Sequence, residues 1–442
     1  MPFGRSDFCD RISRRSILQA GLAGTVGLSL PDLLRLQAES AEKTSSAKPD
    51  TAIIYVELAG GPTQHETYDP KPNAPAEYRG PLGTVATSQA GVAFSELMQE
   101  QAKSFEKLAV IRSIHHDSGS HGTSSHLTQT GYYLRDRQSR TNDMPCIGSY
   151  AARIRGANQP GLPAFVSIPR EMRFGQAAWL GKGYNAFTTG QDADARNFRV
   201  PNLTLMNGLT SDRLKDRRSL LKGFDATRRT IDTKGVADAI DQFTVQAFDM
   251  VTGDRARTAF DISQESDTIR DRYGRNKIGQ NLLLARRLVE HGVTVVTVRA
   301  NSLGSWDDHN GVAKRMKAKG PAYDQGVATL INDLHERGLA EKTMVVCMGE
   351  FGRTPRVNRN AGRDHWGRVM SVVLAGGNIK TGVIVGASDS KGAVPKDKPY
   401  RPENVLAMLY RHLGIDSSMT FTDHSGRPRY ILEQRKLINE LI

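Results

Sequence analysis

LLLARRLVEHGVTVVTV, residues 282–298, joins the end of a helix to a strand that wants cover on both sides. Leu282, Leu283, Leu284, Leu288 and Val289 recur with a helical period, and the pattern extends the helix over 266–291. Gly292 supplies the residue that ends it. Val293-Thr294-Val295-Val296-Thr297-Val298 then runs without a polar face, as strands buried between two layers do.

The same alternation continues on either side. Downstream, a helix is predicted over 321–337, ending at Gly338, followed by strands at Thr343–Met348 and Met370–Ala375 and a helix over 402–413 closing at Gly414. Upstream, Thr51–Leu58 reads as a buried strand that leaves through Gly60-Gly61-Pro62, and Leu108–Arg112 as a second short strand. Strands alternating with helices predict an α/β fold, a three-layer α/β/α sandwich around a mainly parallel sheet. Residues of about 170–260 are rich in charge and weakly periodic, and read as a less regular insertion or cap. The folded domain is expected to span 51–442.

What precedes it reads as an address. Arg14 and Arg15 stand directly before the mildly apolar run Ile17–Leu30, and small residues follow at Ala38, Ser40 and Ala41. A basic segment, a short apolar segment and small residues form a signal-peptide pattern, here of the twin-arginine type. The apolar run falls short of the roughly 20 residues a membrane span needs. Residues 1–40 are thus expected to be an export signal and 41–50 a polar linker, with a periplasmic or otherwise extracytoplasmic destination. The twin-arginine export machinery is then one partner, and contact with a membrane comes only through an uncleaved signal. Outside the signal only Cys146 and Cys347 remain, so no disulfide framework holds the fold, and both read as buried thiols. The net charge of +13 is spread along the chain rather than clustered with aromatics, which argues against nucleic acid as a partner. It suits an anionic polysaccharide, sulfated or phosphorylated substrates, or solubility alone.

Ligands of open α/β sheets collect beyond the carboxyl ends of the strands, and those ends are polar here. The first strand leads to Gln64-His65-Glu66 and Asp69, and the second to His115, His116, Asp117, His121 and His126. Strand 293–298 leads to Trp306-Asp307-Asp308-His309, and strand 343–348 to Gly349-Glu350-Phe351-Gly352-Arg353. Gly362-Arg363-Asp364-His365-Trp366 precedes the last strand. More than half of the histidines fall in these loops. Imidazoles and carboxylates converging from several strand ends suit a Zn, Mn or Fe site, with Asp307, His309, Glu350, Asp364 and His365 as the leading ligand candidates. Arg353 and Arg363 stand ready either to hold an anionic substrate through bidentate bonds or to fix the loops by salt bridges.

These stretches resemble the bacterial domain-of-unknown-function 1501 family. The resemblance covers GGPTQHETYDPKP (60–72), LTQTGYY (127–133), WDDH (306–309), DLHERGL (333–339), GEFGRTPRVN (349–358), GRDHW (362–366) and DHSGRPRYIL (423–432). That family looks like a branch of the alkaline-phosphatase and sulfatase superfamily, which implies an alkaline-phosphatase-like sandwich and one or two divalent metals (Zn, Mn, Fe or Ca) at the strand ends. By that resemblance Asp307 and His309 match an Asp and His ligand pair, and His365 the last histidine ligand. Glu350 stands for an aspartate and Phe351 for a histidine. The first-strand aspartate is missing unless Glu57 serves. Counting back ten residues from Gly131 to the place of the sulfatase nucleophile lands on His121, where a Ser, Thr or formylglycine would be expected. The resemblance therefore implies an exported metal-dependent hydrolase of phosphate or sulfate esters. In it His121 would act as a metal ligand or covalent nucleophile, and Arg353 and Arg363 would neutralise the anion. The alternative is a binding or assembly protein that keeps the fold without its nucleophile.

Overall fold

The computed structural model describes residues 50–200, 203, 248–250, 253–301 and 304–442. The expected signal and nearly all of the linker lie outside the described residues, as does much of the expected insertion at 170–260. Among the described residues no helix is long and apolar enough to cross a membrane.

Eight strands form one sheet: β1 Ala52–Glu57, β2 Leu108–Ile114, β3 Phe165–Ile168, β4 Phe187–Thr188, β5 Val295–Arg299, β6 Thr343–Met348, β7 Met370–Gly376 and β8 Val383–Val385. Their order across the sheet is β8-β2-β7-β6-β1-β5-β3-β4. β1 lies inside it, pairing in parallel with β5 through Ile53 and Val295 and with β6 through Ile54 and Val345. β7 alone runs against its neighbours, antiparallel to both β2 and β6. The mainly parallel sheet expected from the sequence is present. Short strands β3, β4 and β8, of four residues or fewer, carry too few residues to show a period.

Alternation along each central strand sends residues into two cores. Ile54, Val56, Val345 and Cys347 pack with α3 (Lys277–His291) and α4 (Val312–Glu336). Ile53, Tyr55, Met344, Val346 and Met348 pack with α2 (Ile147–Ile154) and α5 (Pro402–His412) on the other face. The remaining helix near the site is α1, His121–Thr130. Helices on both faces complete the three layers. Each fully buried aliphatic side chain contributes roughly 1.5–3 kcal/mol by leaving water. Cys146 and Cys347 are buried and unpaired, as expected.

Two helix boundaries differ from the sequence reading. The helix expected over 266–291 is two, 267–273 and α3, because Gly274 adopts φ 93° and Asn276 starts a new helix by accepting from the Gly279 N–H at 3.0 Å. The helix expected from 321 begins at Val312. Pro321 lies inside it rather than at its start, and the burial of Val312 and Met316 holds the extra turns despite the missing N–H.

Leu283, fully buried between α3 and the sheet, tests this core. Leu283→Ala is expected to lower unfolding free energy in urea by about 2–5 kcal/mol, with an unchanged denaturant slope.

Candidate metal centre

The parallel strands β1, β2, β5 and β6 end at one edge of the sheet, and antiparallel β7 begins there. Loops far apart in sequence therefore meet. His121 comes from the start of α1 beyond β2, Asp307 and His309 from the loop after β5, Glu350 and Arg353 from the loop after β6. Asp364 and His365 precede β7, where His365-Trp366 pairs antiparallel with Gly352-Arg353. Gly362 is needed for this meeting: a side chain there would come within 2.1 Å of the His309 carbonyl.

Asp307 sits at the centre. Its Oδ1 lies 3.1 Å from His365 Nε2 and 3.0 Å from His309 Nε2, and its Oδ2 lies 3.2 Å from His121 Nε2. The Nε2 atoms of His309 and His365 are themselves 2.9 Å apart. Each Nδ1 is tied outward: His121 to Glu350 Oε1 at 2.6 Å, His309 to Asp364 Oδ1 at 2.7 Å, His365 to the Gly119 carbonyl at 2.9 Å. Those partners accept, so each Nδ1 donates, and in the neutral rings three bare Nε2 lone pairs face a carboxylate. Acceptors that converge in this way repel unless a cation lies among them. A further proton is disfavoured on His365, because burial and the charges of His121 and Arg353 push its imidazole down, whereas His121 shifts the other way.

The surrounding charge agrees with a divalent cation. Asp307, Glu350 and Asp364 bring three negative charges and Arg353 one positive. Burial raises the Asp307 carboxyl, but the Arg353 guanidinium, bonded to Oδ1 at 2.5 Å, together with His121 and His365, outweighs it and holds Asp307 well below the usual carboxylate range. Burial lowers His121, but Glu350 and Asp307 overcome it and the net direction is upward. One donor atom each from His121, Asp307 and His365 lies within 4.8 Å of the others. Donors of this kind, with each ring's other nitrogen held by a carboxylate or carbonyl, are what metal-binding histidines present.

Several expected roles change. Glu350 and Asp364 were expected as ligands, but they stand behind the imidazoles, on the Nδ1 side. Glu350 is fixed there by the Gly60 N–H, 2.9 Å from both oxygens, and Asp364 also accepts from Asn358 Nδ2 at 3.2 Å. For Arg353 and Arg363 the sequence left two roles, holding an anionic substrate or fixing the loops, and their observed partners fit the second. Arg353 is buried and donates to the Gly60, Gly61 and Arg363 carbonyls as well as to Asp307. Arg363 is buried against Glu66 at 2.8 Å and donates to the Thr354, Pro355 and Tyr78 carbonyls. Both guanidiniums clasp loops. His116 does not join the cluster but bonds the Glu350 carbonyl through Nε2 at 2.7 Å. His126 binds the Tyr132 carbonyl and His65 the Lys391 carbonyl. Glu57 pairs with Arg299 at 3.0 Å, and burial lifts its carboxyl to about 7. The reciprocal clasp of Gln64, whose side chain bonds both the N–H and the carbonyl of Arg353, had no signal beyond its place after β1.

A family model for proteins of unknown function, DUF1501, matches residues 50–442. The chain belongs to this family. No curated protein matches it in sequence. Among solved structures it is similar to Ps i-CgsB, with 11% identity and a TM-score of 0.40 over 83% of this chain and 72% of that one. It is also similar to the PsFucS1 sulfatase from Pseudoalteromonas sp., with 12% identity and a TM-score of 0.34 over 86% and 70%. A third is a Bacteroides thetaiotaomicron protein from a study of glycosaminoglycan metabolism, with 11% identity and a TM-score of 0.35 over 83% and 73%. Likeness at this level assigns neither activity nor substrate to the chain.

Removing one member of a buried ion pair strands the other. Arg363→Ala is therefore expected to cost about 3–5 kcal/mol of stability in chemical denaturation. A substrate-binding arginine would instead leave the denaturation midpoint in place.

Proposed function

We infer that the chain is an exported metal-dependent hydrolase of phosphate or sulfate esters, with one divalent ion held by His121, Asp307, His309 and His365. The observation that carries this reading is the convergence of three Nε2 atoms on one carboxylate, with every Nδ1 committed elsewhere. When bound, a divalent ion would polarise an ester oxygen and lower the pKa of water. The chain's own residues prepare the place. Glu350 orients His121, Asp364 orients His309, the Gly119 carbonyl orients His365, and Arg353 fixes Asp307. The Phe351 ring packs on His121 at 5.0 Å and on His365 at 4.6 Å between ring centres. An apolar wall stands there instead of further donors, which supports a single ion. His121 is assigned to holding that ion rather than to nucleophilic attack, because both its ring nitrogens face carboxylates. The basic composition suits an anionic polysaccharide ester as substrate, and the paired arginines near the N-terminus suit delivery outside the cytoplasmic membrane.

Protein purified without chelator is expected to contain stoichiometric divalent metal by elemental analysis, lost in Asp307→Ala and His365→Ala. Aryl phosphate or aryl sulfate turnover should vanish after chelation and return with added cation. A metal-free wild-type protein would overturn the reading. Glu350→Gln and Asp364→Asn, which alter only the groups behind the rings, should weaken metal binding by about 10–100-fold.

The pH dependence has a definite sign. A proton on His121 competes with the ion, and the raised His121 pKa keeps that proton on to a higher pH than in a free imidazole. Metal affinity is thus expected to fall as pH drops, with a midpoint above the ordinary imidazole value of about 6.5, read by metal titration across pH.

A further inference from the structure

The hairpin after β8, with strands Ala387–Ser388 and Pro395–Asp397, has a tip that closes on itself. Asp389 donates its N–H to the Val394 carbonyl at 2.9 Å. It accepts the Gly392 N–H on its carbonyl at 3.0 Å and the Ala393 N–H on Oδ1 at 2.6 Å. Three successive carbonyls of this turn each accept from a side chain outside it: Lys391 from His65 Nε2 at 2.9 Å, Gly392 from Gln64 Nε2 at 3.1 Å, and Ala393 from Trp366 Nε1 at 2.6 Å. Gln64 and His65 are buried. Gly392 holds φ 66°, and a Cβ there would lie 2.8 Å from His65 Cε1 and Nε2, so a side chain at this position would push the tip off the imidazole.

Two of the receiving side chains lead to the metal centre. Gln64 also donates to the Arg353 carbonyl at 2.8 Å and accepts the Arg353 N–H at 2.9 Å, and the Arg353 guanidinium pairs with Asp307 Oδ1. Trp366 directly follows His365, and the pair lies antiparallel to Gly352-Arg353. His365 Nε2 is 3.1 Å from the same Asp307 Oδ1. Both routes from the tip therefore end on one carboxylate oxygen. Linked hydrogen bonds in a low-dielectric interior hold their members in place more firmly than isolated ones. The base of the hairpin is anchored elsewhere: Ser388 Oγ donates to Asp69 Oδ2 at 2.5 Å, and that carboxylate pairs otherwise with Lys71 and Arg112.

We propose that the tip of this hairpin, residues 391–393, is a positioning element of the metal centre. Through Gln64 and Trp366 as positioning residues it sets where Arg353 and His365 stand against Asp307, and with that the affinity and coordination geometry of the bound ion. The inference rests on the metal reading and extends it to a segment that holds no ligand. Titration of the chelator-stripped full chain with Co2+ tests it, because the visible absorption of Co2+ reports the geometry around the ion alongside its affinity. Trp366→Phe, which removes one N–H and keeps an aromatic ring, is expected to weaken Co2+ binding by about 3–10-fold and to shift the visible band. Gly392→Ala, which displaces the tip from His65, should act in the same direction. Ser388→Ala removes a buried bond from the base of the same hairpin. It should lower the unfolding midpoint while Co2+ affinity and spectrum stay at wild-type values. A folded Trp366→Phe protein with wild-type affinity and spectrum overturns the proposal. So does a Ser388→Ala protein that perturbs the ion as much as Trp366→Phe does, since the hairpin would then act through stability alone. Both results leave the metal centre standing, whereas a wild-type chain that binds no Co2+ defeats the metal reading itself.

Discussion

The carboxylate of Asp307 is approached by three imidazole edges and one guanidinium, and the arrangement of the surrounding loops follows from keeping them there. Arg353 reaches Asp307 from the loop after β6 while donating to the Gly60 and Gly61 carbonyls after β1. One buried cation thereby ties three strand ends to a single point. Gln64 holds the backbone of Arg353 from the other side, and Arg363, ten residues on, is locked to Glu66. The buried charges near the site are thus paired before any ligand arrives, and the convergence of the Nε2 atoms is the feature left uncompensated.

That separation of tasks explains why both arginines look catalytic in sequence and are not placed to be. An arginine beside a glycine-rich turn at a strand end has the same local signature whether it faces a substrate or a carbonyl. The difference is burial, which is a property of the assembled loops. The same holds for Glu350 and Asp364. Their positions at the site were legible, but whether a carboxylate stands before or behind an imidazole depends on which ring nitrogen faces it, and no spacing encodes that.

The fold was easier to read because its signals are repetitive. The buried strands β1, β5, β6 and β7 announce themselves by unbroken apolar runs, and Gly292 marks the end of α3. What was missed lacks repetition. β3 and β4 are too short, the break at Gly274–Asn276 interrupts a continuous helical pattern, and Pro321 imitates a helix start within α4.

A scaffold that had merely inherited this fold would be under no pressure to keep acceptors pointed at one another. Polar groups that face each other without a partner lower stability, and replacing them with packed apolar residues is commonly neutral or stabilising. An apolar side chain is sterically accommodated at this edge of the sheet, where the Phe351 ring packs against two of the imidazoles. His121, His309, His365 and Asp307 nevertheless stand beside it with their polar edges facing one another. Each ring is aimed by its own outward hydrogen bond, an arrangement that the proposed ion would compensate and that the fold, which by itself assigns no activity, does not require. His309 and Asp307 are partly exposed, at 42% and 29% of their side chains, so the proposed ion and a substrate would share one way in.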